Sequence, residues 1–148
     1  MGEVCCTRRL NHVSNKLERS DDIKNTFADL TNEQKLGIAQ IFDEYYDRTE
    51  YEEELLYYYE PVNLVSRSGQ KMTTLLVSNC ALYFVDPKRF TKVGCRVPLG
   101  DILQVTSDET EKRVLIKSKS TGLNFQTELM REITVSIEKS IKIFEELN

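Results

Sequence analysis

The order of hydrophobic periods constrains this chain most: from about residue 55 it breaks into seven short apolar stretches cut by turn residues, then closes on one amphipathic helix. Period-two alternation rich in β-branched and aromatic residues marks strands, and Gly, Asn, Asp and Ser clusters mark the turns between them. Residues 55–59 and 62–65 lead to the turn signal Ser68-Gly69, residues 72–77 form a second strand, and residues 81–85 form a third that halts at Asp86-Pro87. Residues 96–99 read as a short fourth strand whose Pro98 suits an edge or a bend. Residues 102–106, 113–117 and 123–127 complete the set, and Ile133, Ile137, Ile141 and Phe144 recur at helical spacing over about 130–147. This order predicts a mainly β, α+β fold over residues 55–148: a seven-stranded bent barrel or sandwich capped by the C-terminal helix.

Residues 18–54 read as an acidic helical extension. Thr31 is the expected N-cap, with Gln34 three places on closing a capping box, and Leu36, Ile38, Ala39, Ile41, Phe42 and Tyr45 form one apolar stripe. A shorter helix is expected over residues 11–27, with Val13, Leu17 and Ile23 on one side. The extension reads as a spacer that packs on the domain or leads into it. Residues 50–54 read as a solvated acidic face, and the tyrosines from 45 to 59 as half-buried packing.

At 148 residues the chain is long enough to bury a core without disulfides or a metal. Its formal charge of −4 hides an uneven distribution. Residues 1–17 carry three bases and one acid, residues 18–60 carry four bases and 13 acids, and residues 61–148 carry 13 bases and 10 acids. The one histidine, His12, and the four cysteines lack zinc spacing, so no metal and no cofactor is expected. Cys80 and Cys95 fall in strands and read as buried reduced thiols. No glycine-rich phosphate loop and no nucleophile paired with a base appears, which points away from an enzyme. The bases sit in short loops rather than along a helix, which points away from nucleic acid. No apolar run reaches the roughly 18 to 20 residues that span a bilayer.

The basic segment 1–17 begins Met-Gly-Glu-Val-Cys-Cys-Thr-Arg-Arg. Gly2 behind the initiator Met is the acceptor position for N-myristoylation, and Cys5 and Cys6 become palmitoylation sites beside it. One myristoyl chain binds a membrane only marginally, so a second chain or a basic patch must accompany it, and Cys5, Cys6, Arg8 and Arg9 supply both. The competing reading is an unmodified terminus with two incidental thiols.

Seven strands and a terminal helix resemble the pleckstrin-homology superfold, in which sheets of four and three strands are capped by a C-terminal helix. The stretches Leu75-Leu76-Val77, Leu82-Tyr83-Phe84-Val85-Asp86-Pro87-Lys88 and Arg96-Val97-Pro98-Leu99-Gly100-Asp101-Ile102 are similar to the lipid-binding tail domain of class I myosins. The Met-Gly-x-Val-Cys-Cys start, helical spacer and single terminal domain together resemble the acylated pleckstrin-homology-domain proteins of apicomplexan parasites. That resemblance implies a monomeric, non-enzymatic sensor of phosphatidic acid, held by acyl chains on the cytosolic face of the microneme and coupled to its exocytosis.

In such a domain the loops after strands 1, 3 and 6 share the open end of the barrel. Here they hold Arg67 and Lys71, then Lys88, Arg89 and Lys92, then Lys117 and Lys119, whereas the loop after strand 5 holds Asp108, Glu109 and Glu111. A basic rim creates a local positive field despite the acidic total, and Phe90 is expected to dip below the headgroups. Thr73 stands where phosphoinositide-specific members carry arginine, which favours a small phosphomonoester headgroup. The expected partner is an anionic phospholipid membrane, phosphatidic acid foremost. The alternative is an acylated adaptor that binds a protein in the groove between strand 5 and the helix, or anionic lipids and phosphoinositides generally.

Overall fold

The computed structural model describes residues 29–45 and 54–147. Gly2, Cys5, Cys6, the expected helix over 11–27 and residues 50–53 lie outside the described residues.

Helix α1 (Asn32–Glu44) is followed by strands β1 (Leu56–Ser66), β2 (Gly69–Ser78), β3 (Ala81–Asp86) and β4 (Arg89–Pro98), and then by a 3-10 turn (Leu99–Asp101). Strands β5 (Ile102–Asp108), β6 (Arg113–Ser118) and β7 (Gly122–Gln126) and helix α2 (Met130–Leu147) complete the chain. The strands form one antiparallel sheet in the order β4-β3-β2-β1-β7-β6-β5, open at its β4 and β5 edges. Strand β1 joins the two halves, pairing with β2 along its length and with β7 at Asn63 and Leu64. The architecture is pleckstrin-homology-like, mainly β with a C-terminal helix, as expected.

Strand β4 is longer than its sequence indicates, starting at Arg89 rather than residue 96. Its pairing with β3 shifts register on both sides of Val85, and these irregularities interrupt the alternation by which a strand is recognised. Pro98 ends it on an edge, where a missing backbone donor does no harm.

The second half of β2, from Thr73, and β3 up to Val85 are buried at every position because both faces of the sheet are covered there. Leu75, Val77, Leu82 and Phe84 point inward, with Phe125 and with Ile133 and Ile137 of α2. Leu76, Ala81, Tyr83 and Val85 point outward against Ile38, Ile41 and Phe42 of α1. Thr31 caps α1 as expected, accepting from the Gln34 amide while Gln34 Oε1 accepts from the Thr31 amide. Gly37 permits a close approach: a Cβ there would lie 3.1 Å from that of Phe90.

Under the end of α1 lies a buried polar network. The Tyr83 hydroxyl donates to Glu54 at 2.7 Å and accepts from Arg96 Nε at 3.2 Å, and the Ser78 hydroxyl donates to Glu54 at 2.6 Å. The Arg96 guanidinium stands 5.1 Å from the Tyr45 ring centre and 5.4 Å from that of Tyr83. Glu54, expected on a solvated face, is 2% exposed. A carboxylate tolerates that burial because hydroxyls satisfy it and a guanidinium stands behind them. Burial works against the Arg96 charge, but Tyr83 and Glu54 outweigh it and hold the guanidinium ionised.

Burial pushes the Tyr57 phenol from 10.0 to about 12, with Cys80 adding to it. Burial also raises Tyr59 to about 12, with Asp29 and Glu60 adding to it. Tyr58 and Tyr83 move further in the same direction, again by burial first. A raised phenol favours the fold below the unfolded value near 10, and that contribution disappears as pH climbs through the folded value. Alkaline titration is therefore expected to show these tyrosines ionising late, together with loss of far-ultraviolet circular dichroism. Ionisation centred near pH 10 with the fold intact would contradict their burial.

Candidate functional site

The strand register brings the expected basic turns to one end of the sheet. Thr74 pairs with Val85 and Val77 with Leu82, so the β1–β2 and β3–β4 turns lie together. Antiparallel pairing of Asn63 with Gln126 and Leu64 with Phe125 directs the start of β7, and the turn before it, toward the same end. The acidic β5–β6 turn lies at the other end of β6 and β7, where Lys112 pairs with Glu128 at 2.8 Å.

At this end the inner face opens into a cavity of about 190 Å³ lined by Leu64, Lys71, Thr73, Phe84, Val85, Asp86, Lys92, Gly94 and Cys95. Its floor is the edge of the apolar core at Leu64 and Phe84, and its cations are Lys71 from β2 and Lys92 from β4. The buried Thr73 hydroxyl already donates to the Val85 carbonyl at 2.9 Å. Asp86 accepts from the Lys88 amide at 2.8 Å, fixing the turn into β4. Cys95 is half-buried rather than buried as expected, and burial raises its thiol so that it stays protonated. Cys80 is buried, as expected.

The other expected cations separate. Lys88 and Arg89 line a second groove with Thr31, Glu33 and Gln34, because α1 packs beside the β3–β4 hairpin. Lys117 lines a groove of about 310 Å³ on the outer face of β5–β7. Arg67 and Lys119 are exposed in their turns, and the Lys119 amide donates to the Asp101 carbonyl at 2.9 Å.

Phe90 must be corrected. It is 6% exposed and belongs to the cluster beneath α1, facing Gly37, so it is a core residue and not a membrane wedge. Met72, next to Lys71 along β2, is 68% exposed and projects from the opposite face of the strand at this end of the sheet. Replacing Phe90 by alanine is expected to lower stability by about 3–5 kcal/mol. Vesicle affinity per folded molecule should stay unchanged; denaturant titration and vesicle binding on the same variant check both parts.

Sequence reasoning missed Asp86, read only as a strand stop, and Glu54. It could have found α1's docking face, since the unbroken apolar runs of β2 and β3 already require a cover on each side.

No family model and no curated protein matches the sequence. Among solved structures, that of autoinhibited Vav1 is similar with a TM-score of 0.51 at 14% identity over 92% of this chain, which spans 24% of the Vav1 chain. The N-terminal PH domain of human ARAP2 gives a TM-score of 0.49 at 10% identity, covering 60% of this chain and 78% of that one. The PH domain from TgAPH gives 0.45 at 17% identity, covering 60% and 82%. Identities this low speak to the fold alone. Among the described residues, no helix is long and apolar enough to cross a membrane.

Proposed function

We propose that this protein is a peripheral membrane sensor, a monomer, that binds the phosphate headgroup of an anionic phospholipid at the open end of its barrel, with phosphatidic acid as the preferred lipid. The observation that carries this reading is the cavity of about 190 Å³ that places Lys71 and Lys92 over an apolar floor. Arg67 and Lys119 extend the positive field around it, and Met72 supplies the apolar contact first assigned to Phe90. Each cation near an anionic leaflet contributes about 1 kcal/mol within a Debye length of roughly 8 to 10 Å, so the rim alone holds the protein weakly. Stable residence then calls for the anchor at Gly2, Cys5 and Cys6, a myristoyl chain and at least one palmitoyl chain. The Met-Gly-x-Val-Cys-Cys start, by its resemblance to acylated proteins of apicomplexan parasites, favours the cytosolic face of the microneme and a role in its exocytosis.

The test is flotation of unacylated protein with vesicles of constant negative charge, in which phosphatidylserine is replaced stepwise by phosphatidic acid. Binding should rise with phosphatidic acid. Equal binding across the series would reduce the domain to a generic electrostatic anchor. A protein-binding role is favoured by the outer-face groove of about 310 Å³ and by Leu103 and Leu115, both exposed on that half of the sheet. Capture of a partner that is lost in a Leu103→Ser, Leu115→Ser variant would establish it.

A further inference from the structure

The mouth carries a carboxylate, Asp86, where an anion is to bind. The groups lining it are Lys71 from β2, Asp86 from β3, and Lys92 and Cys95 from β4, with Leu64 of β1 and Phe84 of β3 beneath them. Thr73 is committed to the Val85 carbonyl, so the lysines are the principal side-chain donors to a ligand. Asp86 uses one oxygen, Oδ1, on the Lys88 amide.

We propose that Asp86 makes this mouth selective for phosphomonoesters over phosphodiesters, by accepting a hydrogen bond from the hydroxyl that only a monoester phosphate can carry. The inference rests on the headgroup reading above. Lys71 and Lys92 hold the unprotonated oxygens while the P–OH donates to the carboxylate. A monoester has a second pKa near 6, so at neutral pH it holds that proton part of the time, and a carboxylate acceptor favours the proton-bearing form. Short charge-assisted O–H···O⁻ bonds are about twice as strong as neutral ones. A diester has no such proton, and its anionic oxygens meet Asp86 as a like charge. One residue thus rewards the right ligand and repels the wrong one.

The probes are vesicles matched in surface charge that contain either phosphatidic acid or its methyl ester, phosphatidylmethanol, a diester without a donor. The full chain should prefer phosphatidic acid by about tenfold, the scale of one hydrogen bond to a charged group. Asp86→Asn keeps a side-chain oxygen for the Lys88 amide and should erase most of that preference, chiefly by tighter binding of phosphatidylmethanol. An unchanged ratio in Asp86→Asn overturns the inference. The wild-type chain gives a second readout: its affinity for phosphatidic acid should fall as pH rises from about 6 to about 8, because the monoester loses its proton. A rise would overturn the inference as well.

Lys71→Glu with Lys92→Glu separates the two levels. If that variant still binds both lipids, the headgroup reading itself fails; if it loses both while Asp86→Asn leaves the ratio unchanged, only the role of Asp86 fails. Competition by soluble glycerol 3-phosphate would extend the chemistry to a free phosphomonoester, and its absence would confine it to the bilayer.

Discussion

Reversing Lys71 and Lys92 together to glutamate is expected to lower the affinity of the unacylated chain for anionic vesicles by about a thousandfold. Each cation near the leaflet is worth about 1 kcal/mol, and reversal turns that attraction into a comparable repulsion, so two sites shift binding by about 4 kcal/mol. These two lysines matter most because both line the one cleft at this end of the sheet, over the apolar side chains of Leu64 and Phe84. Reversal of Lys88 and Arg89 should have a smaller effect, since they line a separate groove in which Glu33 of α1 already opposes them. The comparison is made by co-sedimentation at low and high salt, with the wild-type affinity falling as salt rises. Equal losses for the two pairs would indicate a diffuse positive surface rather than a built mouth.

Replacing Phe42 by alanine is expected to destabilise the fold by about 3–5 kcal/mol, a large share of the stability of a domain this size. Phe42 is fully buried on the outer face of the sheet, with its ring centre 5.7 Å from that of Tyr83. Truncation leaves a cavity between α1 and β3 and exposes the network of Tyr83, Glu54 and Arg96 to water. Chemical denaturation should show one transition at lower denaturant, because α1 and the sheet share a core. A loss below about 1 kcal/mol would instead describe α1 as a detachable spacer, the weaker of the two roles its sequence allowed.

The elements most legible from sequence were those whose signals are local. Thr31 and Gln34 form the capping box that their spacing predicts, and Ile133 and Ile137 lie on the buried face of α2. Turns marked by Ser68-Gly69 and Asp86-Pro87 divide the strands where expected. What escaped depends on contacts distant in sequence. Phe90 looked like an exposed loop aromatic because only the docking of α1, some fifty residues earlier, buries it. Glu54 looked solvated because its partners Ser78 and Tyr83 lie more than twenty residues away on β2 and β3. Register shifts around Val85 concealed the first half of β4, and with it the fact that Lys92 stands on a strand rather than in a loop. Of the seven expected headgroup cations, the mouth therefore takes Lys71 and Lys92, while Asp86, overlooked as a turn residue, joins them.

Entry of headgroup phosphate into the mouth between β2 and β4 is read out by backbone amide chemical shifts during titration with a short-chain phosphatidic acid. Saturable shifts are expected at Lys71, Thr73, Asp86, Lys92 and Gly94, with those of the outer β5–β7 face, such as Leu115 and Asn124, nearly still. Shifts centred on that outer face, or spread evenly over every exposed lysine, would contradict it.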